Sequence, residues 1–380
     1  MQPEKKFFHL LVMLVTGMLI LSACGPQPTP TATAEVTAAP TEPPVVDTLT
    51  TAPVTGMLTM LDWSGYELPE FWSDFAVRYP DVNVEFSFMS ESADSYAKMK
   101  SGFQADLVHP CSNFWKIMVD EGMVQPLDTS KISNWKDVNP ALAKEGEFNG
   151  QQYWAPWDWG FESILVRRDL VENVPTSWAD LWKPEYKGHI ALYDSGETAH
   201  VITSLALGFT DPWSTTPEQD EQIRQKLLEL MPNVLTVWSS QTELEQMIAS
   251  GDVWVAASAW NASYVNMVNQ GLDVVYIDPA EGRGGLPVRL CHPPSTSQNY
   301  DLALAMIDAY LAPASQTKLA NDYGYGIVNT AAIPLVNQQT ADLLSLNDQN
   351  IISRTIFYKY LTPAQRDAWT NVWSEVKTSQ

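Results

Sequence analysis

From residue 56 onward the chain alternates two periodicities: short apolar runs of strand length, and longer segments whose apolar residues recur every three to four positions. Repeated strand–helix units bury their apolar faces as sheets covered by helices, so the pattern predicts an α/β fold with mostly parallel strands. Met57-Leu-Thr-Met-Leu61 reads as a buried strand; after the turn at Asp62-Trp-Ser-Gly65, Leu68, Phe71, Trp72, Phe75 and Tyr79 fall at helical spacing. Val82–Met89 reads as a second strand, Tyr96–Met99 lies in a helix, and Asp106–Val108 is a third strand. Later, Asn233–Trp238, Val253–Ala259 and Leu272–Ile277 read as strands interleaved with helices. Two helix starts carry capping boxes, Thr216-Pro-Glu-Gln219 and Thr242-Glu-Leu-Glu245, in which Thr accepts a backbone N–H and the third residue returns the bond.

The first 55 residues break the pattern. Lys5 and Lys6 precede an apolar run from Phe7 to Ile20, and Leu21-Ser-Ala-Cys24 follows. This is the layout of a secretory signal, with an apolar run shorter than the roughly 20 residues of a membrane span. The tetrapeptide resembles a bacterial lipobox, which predicts removal of residues 1–23 and acylation of Cys24. Residues 24–55 are rich in Pro, Thr and Ala, with seven prolines between Gly25 and Thr55, and cannot bury enough surface to fold. They read as a tether with a reach of about 30 Å as a coil and about 95 Å as a stiff rod. The folded part is therefore expected outside the cytoplasm, in the periplasm or held on the outer face of the cytoplasmic membrane.

Composition removes further classes. With 22 Lys and Arg against 45 Asp and Glu, the net charge is −23, unsuited to binding nucleic acid. A 45% hydrophobic content excludes a disordered chain, and 380 residues suffice for two domains. No Gly-x-Ser-x-Gly elbow, phosphate loop or His-Glu-x-x-His motif is present. Glu281-Gly-Arg-Gly-Gly285 lacks the Lys of a phosphate loop and reads as a turn, and His109 lies too close in sequence to Cys111 for a nucleophile–base pair. No catalytic residue, cofactor or metal is expected.

Ligands of open α/β sheets sit beyond the carboxyl ends of strands. Those junctions are aromatic in this chain: Asp62-Trp63-Ser64, His109-Pro-Cys-Ser-Asn113, Trp260-Asn261, and the segment Tyr153-Trp-Ala-Pro-Trp-Asp-Trp-Gly160. Indole faces attract cations, and Asp62, Asp158, Asp194 and Glu197 are candidate ammonium acceptors. Tryptophan beside Asp equally suits sugar binding, by stacking and hydroxyl bonding. Composition leaves both open.

Thr176-Ser-Trp-Ala-Asp-Leu-Trp-Lys-Pro-Glu-Tyr-Lys-Gly188 resembles a segment of the spermidine/putrescine-binding proteins of bacterial ABC importers. Asp62–Tyr66, Ser95–Lys98, Asp106–Val108, Glu121–Met123, Leu230–Val234, Trp260-Asn261 and Gly324-Tyr325 occur in the order that family shows, across nearly everything after the tether. The resemblance implies a two-lobed periplasmic-binding-protein fold of type II. Residues 56–160 with 287–329 would form one lobe and 161–286 with 330–380 the other, joined by crossing strands. It further implies a monomer that closes around a polyamine and delivers it to an ABC permease.

Residue by residue, Trp63 and Ser64 match an aromatic wall and a hydroxyl, Trp260 matches a stacking tryptophan, and Tyr325 lies near a ligand-contacting position. Cys111, Ser112 and Asn113 replace a ligand-contacting Ser-Thr-Tyr stretch. After the strand His189–Tyr193, Asp194 and Glu197 stand close to the family's amine-holding carboxylates. Asp158 and Trp159 offer a replacement carboxylate and a wall, and Asp62 occupies a position that is neutral in the family. The crossover strand Leu286-Pro-Val-Arg-Leu-Cys291 lacks the family's carboxylate and carries Arg289, which suits a carboxylate ligand and so an amino-carboxylate or zwitterion. A sugar-binding protein, or a receptor subunit for a signalling partner, is the remaining alternative. Cys111 and Cys291, an even pair outside the cytoplasm, are expected to form a disulfide. A metal site built from them with His109 and His292 is disfavoured, because neighbouring strand residues face opposite ways.

Overall fold

A computed structural model describes residues 54–285 and 288–379, with Arg289 and Leu290 described through their backbone alone. The signal segment, Cys24 and the tether up to residue 53 lie outside the described residues. β1 (Gly56–Trp63) runs parallel to β2 (Val82–Met89) and to β3 (Leu107–Val108), in the order β2-β1-β3. The helix between β1 and β2 is shorter than its apolar spacing predicts. Pro69–Phe71 makes one 3-10 turn, Trp72 leaves helical dihedrals (φ −133°, ψ 27°), and the α-helix spans Ser73–Arg78. The break coincides with the Trp72 indole N–H turning back to the Glu67 carbonyl at 3.1 Å.

β4 (Glu147–Phe148) and β5 (Gln151–Gln152) form a hairpin on Asn149-Gly150, both at positive φ (51° and 74°), the pairing that a tight hairpin turn demands. The chain then crosses from one sheet system to the other, β6 (Ala155–Trp159) running through Gly160 into β7 (Phe161–Arg167). β7 is the hub of a seven-stranded sheet, six of whose strands are β7 itself, β8 (Ile190–Tyr193), β9 (Val234–Trp238), β10 (Val255–Trp260), β11 (Val274–Tyr276) and β12 (Arg283–Gly285). The chain crosses back into β13 (Arg289–Cys291), which with β14 (Gly326–Ile327) flanks β6, and β15 (Thr355–Ile356) finally returns to pair with β12.

This topology makes the seven-stranded sheet mixed rather than mostly parallel, whereas β2-β1-β3 is parallel throughout. β8 is parallel to β9 and β10, and β12 to β15, but β7 is antiparallel to β10, β11 and β12. The crossings are the cause: the chain arrives on β7 from one sheet and leaves along β12 to return, so these neighbours must oppose one another. The strands read from sequence otherwise form within one or two residues of their expected ends.

Helix starts follow side-chain chemistry, with one correction. Thr216 and Gln219 make both bonds of a capping box. Thr242 caps nothing; Ser240, extended before the helix Gln241–Ser250, accepts the Glu243 N–H at 3.4 Å. The chain's 15 tryptophans serve mainly as core. Trp154, Trp157, Trp178 and Trp238 are almost fully buried. An aromatic side chain buries about 150–250 Å², roughly 4–6 kcal/mol at 25 cal/mol/Å², which favours the core over the surface. No helix among the described residues is long and apolar enough to cross a membrane.

Candidate functional site in the cleft between the sheets

The carboxyl end of β1 sets one wall. Trp63 is held there by two bonds: its backbone N–H donates to Asp62 Oδ1 at 2.7 Å, and its indole N–H to the His109 carbonyl at 2.8 Å. Asp62 and His109 are wholly buried, with Oδ1 and Nδ1 2.7 Å apart, and Tyr310 donates its hydroxyl to Asp62 Oδ2 at 3.0 Å. Burial opposes a charge on His109, yet Asp62 and the neighbouring Cys291 thiol prevail and raise its pKa well above the ordinary value. Asp62 thus anchors the wall from behind and does not face a ligand.

Opposite stands Trp260 at the end of β10, packed edge-on against Tyr193 at the end of β8 (centroids 5.5 Å apart). These walls bound a cavity of about 360 Å³, whose rim includes Glu91, Cys111, Asn113 and Phe114. Trp260 Nε1 and Asn113 Oδ1 are buried without a hydrogen-bond partner among the described residues. The far side is formed by Glu162 on β7, Glu197, Tyr358 and Arg366. Glu197 follows Ser195, which caps the helix Gly196–Ala206. Burial raises the Glu197 pKa against the pull of Arg366, whose Nη1 lies 3.4 Å from Oε1. Arg366 comes from the C-terminal helix Pro363–Thr378 and also lays its guanidinium 4.7 Å over the Phe114 ring, so it spans the cleft.

Glu162 is 1% exposed, and among the described residues its carboxyl is bonded to hydroxyls, accepting from Tyr358 at 2.9 Å and from Thr198 at 3.4 Å. Burial, with nearby Glu197 adding to it and the two hydroxyls opposing it, pushes its pKa up to about 8. Burial thus favours the neutral carboxyl of Glu162 at the floor of the cleft.

The candidates from sequence divide among several places. Trp63, Cys111, Asn113, Glu197 and Trp260 line this cavity. Ser64 and Tyr325 line a neighbouring one of about 390 Å³. Ser112 faces a third, of about 300 Å³, with its Oγ accepting the Val288 N–H at 3.2 Å beside the second crossing. Asp158 and Trp159 are corrections: neither lines the cavity. Both belong to the fully buried strand β6, where the Trp159 indole donates to the Ile327 carbonyl at 2.7 Å. Asp194 is also a correction. It turns outward to Trp373 (2.7 Å) and Lys377 (2.5 Å), which overcome partial burial and lower its pKa. Arg289 pairs through its backbone with Asp158, and its side chain is outside the described residues.

Cys111 and Cys291 are both thiols, so the expected disulfide is not formed. Cys291 is buried beside His109, while Cys111 faces the cleft and bonds Ser92 Oγ through its N–H at 2.9 Å. His292 Nδ1 is engaged with the Tyr153 carbonyl at 2.9 Å, away from any shared metal position. Sequence reasoning missed Glu162, Tyr193, Tyr358 and Arg366. Glu162 left a signal, a lone carboxylate inside the apolar run Phe161–Val166; Arg366 left none, because a helix far along the chain delivers it.

The sequence pattern of the family described as bacterial extracellular solute-binding protein matches residues 71–343. The spermidine/putrescine-binding periplasmic protein of Salmonella typhimurium is 30% identical over 292 residues, 76% of this chain and 82% of its own. The putrescine-binding periplasmic protein PotF of Escherichia coli is 26% identical, over 85% and 92% of the two chains. The crystal structure of the spermidine/putrescine ABC transporter substrate-binding protein PotD of Streptococcus pneumoniae superposes with a TM-score of 0.75 at 23% identity, covering 85% of this chain and 99% of that one. The fold is accordingly the two-lobed periplasmic-binding-protein fold of type II.

Proposed function

Because this chain belongs to the bacterial extracellular solute-binding proteins and is not an enzyme, we propose that it captures a small amine-bearing solute, a polyamine such as spermidine or putrescine, for an ABC permease. The observation that carries the reading is the cleft itself, where Trp63, Trp260 and Tyr193 offer aromatic faces and Glu162 and Glu197 offer carboxyl groups. Aromatic faces attract ammonium groups by about 0.5–2 kcal/mol, and carboxylates fix them directionally. Residues 56–160 with 287–329, and 161–286 with 330–380, act as the two lobes. They close about the two crossings, at Gly160 and between β12 and β13, and the closed form is what the permease engages. The protein works as a monomer, held at the membrane through acylated Cys24.

A second reading rests on Arg366. A guanidinium inside the cleft suits a carboxylate, and an amino-carboxylate would bridge it and the acidic floor. One panel separates the two. Melting temperature and tryptophan fluorescence are followed with putrescine, spermidine, amino-carboxylates and oligosaccharides, since a ligand bound only by the folded state raises the melting temperature. Stabilisation by polyamines is expected, and Trp260→Ala is expected to cost about 2 kcal/mol or more of that binding. Response to amino-carboxylates alone would move the assignment to Arg366, and response to sugars alone would end the cation reading.

A further inference from the structure

Two of the carboxylates that the sequence offers to an amine are already met by cations of this chain. Asp194 is bound by Lys377, and Glu197 faces Arg366, both carried by the C-terminal helix. Glu162 differs: among the described residues its partners are the hydroxyls of Tyr358 and Thr198, and no Lys, Arg or His side chain pairs with it. Resting on the reading above, we propose that Glu162 is the inner ammonium-accepting group of this cleft and the residue that makes it select cations.

The fold builds a seat for this side chain. Gly284 pairs with Glu162 across β12 and β7, and a Cβ at 284 would lie 2.9 Å from Glu162 Cγ and 3.1 Å from its carbonyl oxygen. Glycine at 284 therefore leaves the space the carboxyl occupies. The adjacent Arg283 is directed elsewhere: its guanidinium lies 4.7 Å over Phe161 and 5.6 Å over Tyr276, and its Nε is 3.4 Å from Asp278. Successive strand residues face opposite ways, so an arginine stacked on Phe161 lies on the other side of β7 from Glu162. Arg366 lines the same side of the cavity but pairs with Glu197 at 3.4 Å, and the remaining titratable groups around Glu162 are Glu197 from the helix Gly196–Ala206, Tyr193 from β8, Tyr276 from β11 and Tyr358 beyond β15. None of these remaining groups supplies a positive charge.

Capture then involves a proton exchange. The buried carboxyl holds its proton before capture; as the ammonium enters, the carboxyl O–H bond breaks, the proton passes to the buffer, and the carboxylate accepts an N–H from the ligand. An ammonium ion therefore gains a partner that a neutral isostere does not, and that difference is selectivity for cations.

The test is calorimetric titration of wild type, Glu162→Gln and Asp194→Asn with putrescine at pH 7, in phosphate and in Tris. These buffers differ in ionisation enthalpy and so report protons released. Wild type is expected to release nearly one proton per ligand. Glu162→Gln is expected to bind about ten- to hundredfold more weakly, with no buffer dependence. Asp194→Asn, turned away from the cleft, is expected to bind like wild type. Melting temperatures near wild type at pH 5, where the native Glu162 is neutral like Gln, show that the variant folds. Unchanged affinity in Glu162→Gln, or proton release that persists in it, overturns the assignment while leaving the polyamine reading in place. Failure of wild type to bind putrescine or spermidine overturns that reading, and this one with it.

Discussion

At the scale of single residues, the wall of the cleft is held from behind. The Asp62 carboxylate receives the Trp63 N–H, the Tyr310 hydroxyl and the His109 ring, so one buried group fixes the backbone turn after β1 and the orientation of its tryptophan. Removing one partner of a buried ion pair leaves the other stranded, typically at a cost of about 3–5 kcal/mol. Asp62→Ala is therefore expected to lower stability by about that amount in urea denaturation and to shift the Trp63 fluorescence. A loss below about 1 kcal/mol, the size of a solvent-exposed pair, would show that the bridge does not carry the wall.

Among the elements, the C-terminal helix Pro363–Thr378 does most to complete the site. It opens on a capping box at Thr362 and Gln365, buries Trp369, Trp373 and Val376, and delivers Arg366 and Lys377 to Glu197 and Asp194. Its dock on the helix Gly196–Ala206 includes His200, whose ring stacks on Trp369 at 3.5 Å. Burial pushes the His200 pKa down to about 3. An unfolded chain takes up this proton near pH 6.5, whereas the native one resists it until about pH 3. The associated stability is complete above pH 6.5 and is lost as pH falls toward 3. Replacing His200 by Gln is expected to reduce the stability lost between pH 7 and pH 4 by about 2–3 kcal/mol, measured as unfolding free energies at the two values. Equal acid losses in variant and wild type would show that His200 is not a seat of the acid sensitivity.

For the whole molecule, the expectation to test is the anchor: residues 24–55, outside the described residues, read by composition as a tether that starts at Cys24 and precedes the two-lobed fold. Expressed in a bacterium, the wild-type chain is expected in the membrane fraction and Cys24→Ala in the soluble one. Retention of the variant on membranes would place the anchor elsewhere. Much of this organisation was legible in the residues alone. Apolar periodicity marks the strands that carry Trp63, Tyr193 and Trp260, because the spacing of buried side chains is a local property of a strand or helix. Thr216 and Gln219 mark a helix start for the same reason, since a cap is satisfied within four residues. Which carboxylate faces the ligand was not legible. Asp194 and Glu197 lie three residues apart, yet one turns outward to Lys377 while the other lines the cavity, and the choice depends on a helix more than 160 residues later. Trp157, Trp159 and Asp158 read as cleft residues and prove to be core, because the sequence shows an aromatic cluster without its depth. Glu162 takes its direction into the cleft from Gly284, Tyr358 and Thr198, all distant along the chain, and burial by the folded chain raises its pKa. Sequence by itself determined the α/β elements and the aromatic strand ends, which depend on neighbours a few residues away. Tertiary structure alone decided which carboxyls are paired with cations and which lines the cavity beside hydroxyls, because burial and partnership are set by residues that meet only when the chain folds.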